Sequence, residues 1–264
     1  MEEGRNEPVL LREDAGGVAR LTLNRPRAFN SLSMELLMAF EAELDRLALD
    51  RSARVVVLAG AGEKAFCAGH DLKEIGADRS RESVTELFTL CSRVMVKLTR
   101  LPQPVVARVH GIATAAGCQL VASCDLAVSA DDARFAVSGV KYGLFCSTPM
   151  VALSRNLPRK AALEMLLTGD FIDAAEALRL GLVNLVVPAP DLDAAVVALC
   201  ARLLDKPREV LALGKRAYYR QIEMGLEDAY AFTTEVIVGN ALGRDFEEGL
   251  AAFVGKRQPV WSDG

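Results

Sequence analysis

The chain has 264 residues, 31 Lys and Arg against 35 Asp and Glu, a formal net charge of −4, six cysteines and two histidines, His70 and His110. An apolar fraction of 51% is that of an ordinary folded protein, which excludes bulk disorder. The slightly acidic balance lacks the basic field that nucleic-acid binding draws on, and two histidines argue against a His-rich metal centre, so neither a nucleic-acid partner nor a metal is expected.

Val9–Arg12 and Val18–Leu23 flank Asp14-Ala15-Gly16-Gly17 and read as a β-hairpin. From Ser33 to about Asp50, Leu36, Leu37, Phe40, Leu44 and Leu47 recur at helical spacing. Val55–Ala59 is apolar throughout, the pattern of a strand buried on both faces. A Gly-rich segment follows, then a helix opened by the capping box Ser83-x-x-Glu86, with Val84, Leu87, Phe88, Cys91, Val94, Met95 and Leu98 on its buried face. Pro102 and Pro104 stop that helix, and Val105–Val109 is another buried strand.

The small residues Ile112-Ala113-Thr114-Ala115-Ala116-Gly117 let a backbone approach closely. A short helix from Gly117, a strand at Leu126–Ala130 and a strand near Phe135 complete an α/β core. From Pro149 the pattern is mostly helical: Asp173-x-x-Glu176 opens a helix closed by Gly181, Leu185–Val187 is a strand, and helices continue to about Val254. Residues 1–190 are expected to form the core and 191–264 a helical C-terminal region. No internal repeat stands out.

The cysteines at 67, 91, 118, 124, 146 and 200 form no CxxC pair and lie in apolar runs, which suits reduced thiols. Met1-Glu2-Glu3-Gly4 is acidic, without the apolar run of a signal peptide. The longest stretch free of charged residues, Val109–Cys124, is shorter than the ~20 residues of a membrane span. A soluble, cytoplasmic protein with no membrane partner is expected.

Val55 to Ala65 satisfies a strand followed by GxGxxA, but the dinucleotide fingerprint also needs a helix at the glycines and a second strand within ~30 residues. Gly69 and Asp71 interrupt any such helix, so this stretch reads as a glycine turn. Cys67 and His70 have CxxH spacing with no second ligand pair at a usual zinc spacing.

Four motifs occur in order. They are Ala65-Phe66-Cys67-Ala68-Gly69-His70-Asp71-Leu72; Pro104–Ala107 leading through Gly111 to Ala115–Leu120 and Cys124-Asp125; Leu167–Asp170 with Ala174–Ala177 and Gly181–Val183; and Glu248-Gly249, Ala252-Phe253 and Lys256–Pro259. Together they span nearly the whole chain and resemble the crotonase (enoyl-CoA hydratase/isomerase) superfamily. The resemblance implies an α/β fold with a ββα spiral core capped by C-terminal helices, and an acyl-CoA as substrate or ligand with no other cofactor.

In that family an acyl-CoA thioester becomes enolate-like, and two backbone N–H groups stabilise the charge on its carbonyl oxygen. Carried over, the donors are those of His70 and Ala116, with Gly117 adjacent. Two glutamates that hydratases use fall on Gln119 and Gly139. Gln119 accepts no proton at neutral pH and Gly139 has no side chain, so ordinary hydration is expected to be severely weakened, and the same absence counts against simple double-bond isomerisation. Lys141, Tyr142 and Cys146 are the nearby side chains that remain; Asp71 reads as a loop brace and Asp125 as a structural acid.

By the same resemblance Arg27, Ala28 and the segment Ala68 to Lys73, including Asp71 and Leu72, line the CoA channel. Phe253 and Lys256 correspond to residues that reach a neighbouring subunit's adenine and phosphates, which implies a homotrimer or a dimer of trimers, with 191–264 mediating trimerisation. Locally, Lys256-Arg257 suits either a phosphate or the C-terminal end of a helix dipole. Two functions stay open: an enzyme with a non-standard proton-transfer set, and a non-catalytic protein that binds or sequesters CoA thioesters.

Overall fold

Val55, Val56, Val57 and Leu58 are all enclosed, so one strand is covered on both faces, and the layering of the molecule follows from that. The computed structural model describes residues 7–262; the acidic start, Met1 to Gly4, lies outside the described residues.

The chain begins with strands β1 (Leu10–Ala15) and β2 (Val18–Leu23), helix α1 (Met34–Leu49), strands β3 (Val55–Gly60) and β4 (Ala65–Cys67), and helices α2 (Leu72–Ala77) and α3 (Arg81–Arg100). Strands β5 (Val105–Val109) and β6 (Ile112–Thr114), helix α4 (Ala116–Ser123), and strands β7 (Leu126–Ala130) and β8 (Arg134–Ala136) follow. Then come α5 (Ser147–Asn156), α6 (Arg159–Thr168), β9 (Ile172–Asp173), α7 (Ala174–Leu180) and β10 (Leu185–Val187). Four helices end it: α8 (Leu192–Leu204), α9 (Arg208–Gln221), α10 (Leu226–Ala241) and α11 (Arg244–Gly255).

One sheet runs β1-β2-β3-β5-β7-β10 and is parallel except for the β1–β2 hairpin; the other runs β4-β6-β8-β9. Strands β3, β5 and β7 are each followed by a strand of the second sheet and then by helix. The expected ββα spiral is therefore present, repeating in space where the sequence shows no repeat. On one face of the large sheet Val55, Val57, Val106 and Val128 pack with Leu192, Val196 and Cys200 of α8. On the other, Val56, Leu58 and Ala107 join the main core with residues of α1 and α3.

Caps explain the boundaries. Ser33 Oγ accepts the Leu36 N–H at 3.2 Å and starts α1; Asp173 and Gly181 (φ +85°) bracket α7, as expected. Helix α3 starts before the expected box, because Ser80 Oγ accepts the Ser83 N–H at 3.3 Å. Asp71 begins a helix rather than interrupting one, its Oδ1 accepting the Lys73 N–H at 3.1 Å. The glycine turn after β3 leads into β4, not into a helix, so the dinucleotide reading fails on its required element.

Asp125 is structural. Its Oδ2 accepts the Val105 N–H and the Lys215 ammonium, both at 2.6 Å, and its Oδ1 accepts from Tyr219 OH at 3.0 Å. Lys215 also donates to the carbonyls of Leu98 and Gln103 at 2.9 Å, so α9 grips the connection between α3 and β5. All six cysteines are buried and free. Among the described residues no helix is long and apolar enough to cross a membrane.

Candidate active site

The loop after β4 is held on both sides of His70. Leu32 donates to the Gly69 carbonyl at 2.7 Å, and the Asp71 N–H donates to the Leu32 carbonyl at 3.1 Å. In extended backbone, successive N–H groups point to opposite sides, so the His70 N–H faces away from Leu32. It has no hydrogen-bond acceptor among the described residues. Below the loop, Asp71 Oδ2 pairs with Arg25 at 2.9 Å. Burial alone would raise the Asp71 carboxyl, but Arg25 and the Lys73 amide hold it below the usual carboxylate range. The expected loop brace is confirmed in its geometry.

A second backbone segment meets this loop. Ala115 has φ +51°, a left-handed value that costs an alanine roughly 1–3 kcal/mol and persists only when the surroundings impose it. That turn swings the chain from β6 into α4 and leaves the Ala116 N–H, at the helix start, without an acceptor among the described residues. The two segments touch through glycines. A Cβ on Gly69 (φ +90°) would lie 3.1 Å from Ala116 N, and one on Gly117 would lie 2.0 Å from the Cys67 carbonyl oxygen. Only glycine permits either approach.

Beside this junction lies a cavity of about 280 Å³. Its walls come from the 68–75 segment, Phe88 of α3, Ala115 and Ala116, and a stretch from Ser138 to Pro149. Of the expected residues, Ala68, His70, Leu72, Ala116 and Gly139 line it. Gly117 stands behind the wall. Gln119 is buried at 3% exposure, does not line the cavity, and its Oε1 has no hydrogen-bond partner among the described residues.

The remaining expected residues sit outside. Asp71 and Lys73 fasten the loop. Arg27 is exposed and Ala28 half-buried on the turn next to Phe29, whose carbonyl accepts the Ala68 N–H at 3.0 Å. Phe253 is 82% exposed on α11, and Lys256 (φ +50°) caps that helix, so neither meets the cavity of its own chain. Arg257 is engaged by Glu248 at 2.6 Å. Lys141 pairs with Asp170 at 2.7 Å, away from the cavity.

Sequence reasoning did not assign Ile75, Phe88, Leu144, Phe145 or Ser147–Pro149 to the site, whereas Tyr142 and Cys146, the nearby side chains it left, do line the cavity. Three titratable side chains line the cavity, His70, Tyr142 and Cys146, and none is a carboxylate. Burial pushes the Cys146 thiol up and pulls the His70 imidazole down to about 4. The His70 ring meets Phe88 edge-on at 4.8 Å, and its Nε2 is buried without a partner among the described residues. Two unpaired N–H groups beside an apolar cavity are suited to an oxygen that gains negative charge on an otherwise apolar ligand.

A family model described as enoyl-CoA hydratase/isomerase matches residues 13–264. The chain is 44% identical over 255 residues to the enoyl-CoA hydratase domain-containing protein 3, mitochondrial, of Xenopus laevis, covering 97% of this chain and 86% of that one. The crystal structure of an enoyl-CoA hydratase from Mycobacterium smegmatis superposes with a TM-score of 0.95 at 55% identity, covering 97% and 99%. That of human enoyl-CoA hydratase domain-containing protein 3 gives 0.93 at 42%, covering 96% and 100%. The expected cytoplasmic location is corrected by these relatives, since those from Xenopus laevis, rat, mouse and human are all named mitochondrial. Balanced charge and buried thiols describe many folded proteins and carry no address.

Proposed function

The chain belongs to the enoyl-CoA hydratase/isomerase family, and on that premise we propose that it binds an acyl-CoA thioester with the carbonyl oxygen between the N–H groups of His70 and Ala116. The observation that carries this reading is the pair of N–H groups without acceptors, on two segments in contact, beside an apolar cavity. As the thioester becomes enolate-like, negative charge grows on that oxygen. A preorganised donor there contributes a factor of ~10²–10³ in rate, and the start of α4 adds its dipole. Gly117 serves by bringing α4 against Cys67. Coenzyme A arrives as part of the substrate, along the rim formed by Arg27, Ala28 and residues 68–73.

Gly139 in the lining and Gln119 outside it stand where family hydratases carry glutamates, and no carboxylate lines the cavity. That supports a non-standard set of proton-transfer groups. It also supports a second reading, a protein that binds or sequesters CoA thioesters without turning them over. Within 191–264, exposed Ile237, Leu242, Phe253 and Val254 on and beside α10 and α11 are faces a homotrimer or dimer of trimers would bury, with Phe253 and Lys256 completing a neighbour's CoA site.

Calorimetry with short and medium enoyl-CoAs tests binding, and the change in conjugated-enoyl absorbance tests turnover. Binding with turnover supports the enzyme; binding alone supports the sequestering protein; no binding overturns both. Sedimentation measures the assembly.

A further inference from the structure

Asn30 belongs to none of the four motifs and has no part in the reading above, yet its side chain is fully buried and its amide fully engaged. Nδ2 donates to the carbonyls of Ala61 at 2.9 Å and Ala65 at 2.8 Å, and Oδ1 accepts the Arg25 N–H at 3.0 Å. An amide carries two donors and an acceptor on one planar group, so this side chain ties the turn at Arg25 to the residue after β3 and to the first residue of β4. Gly60 belongs to the same fit, since a Cβ there would stand 2.8 Å from Asn30 Nδ2.

The backbone is constrained at the same place. Phe29 and Asn30 are consecutive non-glycine residues at φ +53° and +54°. Asn tolerates the left-handed region better than most residues and Phe poorly, and such a pair persists only where its surroundings impose it. The double turn sets the groups that follow against the loop after β4. The Phe29 carbonyl accepts the Ala68 N–H at 3.0 Å, Leu32 donates to the Gly69 carbonyl at 2.7 Å, and the Leu32 carbonyl accepts the Asp71 N–H at 3.1 Å. These three bonds bracket His70.

We propose that Asn30 is a positioning residue, which fixes residues 29–32 against β4 and so sets the direction of the His70 N–H. The inference rests on the thioester reading given above, in which that N–H meets the ligand carbonyl. Residues 68–71 continue from β4, and Asn30 pins 29–32 to the same strand through Ala65, so the short ladder and the strand move as one unit. Arg25 adds a second tie, donating to the Ser31 carbonyl at 2.7 Å and to Asp71 Oδ2 at 2.9 Å. A hydrogen bond weakens steeply as its angle falls towards ~120°, so a tilted ladder deprives the carbonyl of its donor at 70 without removing any atom that touches it. Ala116 sits on the turn from β6 into α4, outside this ladder, so the loss falls on one donor of the two.

The test compares hexanoyl-CoA, isotope-labelled at the thioester carbonyl, with S-hexyl-CoA, a thioether of the same chain that lacks the carbonyl oxygen. Calorimetry gives both affinities, and infrared difference spectra give the carbonyl stretch. The wild type should favour the thioester and shift its carbonyl stretch to lower wavenumber. Asn30→Gly removes the amide and leaves the left-handed backbone accessible. In that variant the preference for the thioester should fall roughly two- to tenfold, the worth of one hydrogen bond, and the carbonyl shift should shrink. A change in CoA binding alone moves both affinities together and leaves their ratio unchanged. A folded variant with an unchanged ratio and an unchanged shift therefore overturns the proposal, because a purely structural Asn30 would behave that way. If Asn30→Gly does not fold, Asn30→Ser, which retains one donor on a short side chain, carries the same comparison. A wild type that binds the two ligands equally and shows no carbonyl shift, or binds neither, fails the thioester reading itself and the proposal with it.

Discussion

The carbonyl oxygen of Leu144 stands 2.3 Å from where a Cβ on Gly139 would be, and the Leu144 N–H donates back to the Gly139 carbonyl at 3.0 Å. The cavity wall thus occupies the room that a side chain at 139 needs. Gly139→Glu should therefore install no working carboxylate. Overpacking against a backbone atom costs about 1–3 kcal/mol or more, so the variant should lose that much in a urea melt and gain no hydratase activity. Wild-type stability together with new hydration would refute this account of the wall.

Gln119 carries a buried acceptor with no partner among the described residues. Replacing such a group by an apolar one of similar shape is nearly neutral or stabilising. Gln119→Met should leave the urea midpoint unchanged or raise it. A loss of ~1–3 kcal/mol would instead mean that an ordered water satisfies the amide in solution.

Gly117 lies where a Cβ would meet the Cys67 oxygen at 2.0 Å. Alanine suits a helix better than glycine by ~1 kcal/mol, so propensity alone predicts a gain from Gly117→Ala. Contact should dominate, because backbone on each side must move to admit the methyl. The expected outcome is lower stability and weaker acyl-CoA binding together, measured by melts and calorimetry; a stabilised variant with unchanged binding would show that α4 can shift freely.

His70 links stability to pH. Its folded pKa, about 4, lies below the unfolded value near 6.5, because burial disfavours the charged ring. Between those values the unfolded chain binds a proton that the folded one does not. The contribution is present in full above pH ~6.5 and is lost as pH falls towards ~4, on the order of 3 kcal/mol in all. Melts of the wild type and His70→Gln from pH 7 to 4 should diverge in that window, the variant losing less; parallel curves would show that the ring is solvated.

Local patterns carried the long elements. The all-apolar run at 55–59, the helical spacing of Leu36 to Leu47, and the Asp173 and Gly181 caps are contained within single elements, and each occurs where the sequence predicts it. Strands β4, β6 and β9 escaped because two or three residues show no period. Phe88 and Val84 read as core by their spacing, yet both are only half-buried, Phe88 because it faces the cavity. Periodicity separates the inward face of a helix from the outward one, and cannot tell a packed core from the wall of a pocket. In α3 the capping box at Ser83 was a real pattern that Ser80 pre-empted one turn earlier.

By itself the sequence determined the order of the elements, the family motifs, and which residue types stand at 70, 116, 117, 119 and 139, because these depend on chemistry read along the chain. Tertiary structure alone decided that Gly69 lies close against Ala115 and Ala116, that Gln119 is buried outside the cavity lining, that Leu144 blocks position 139, and that Phe88 seats the His70 ring. Each of these joins segments that the chain separates and packing brings together. One-dimensional pattern records what a residue can do; only close packing settles which neighbour leaves it room.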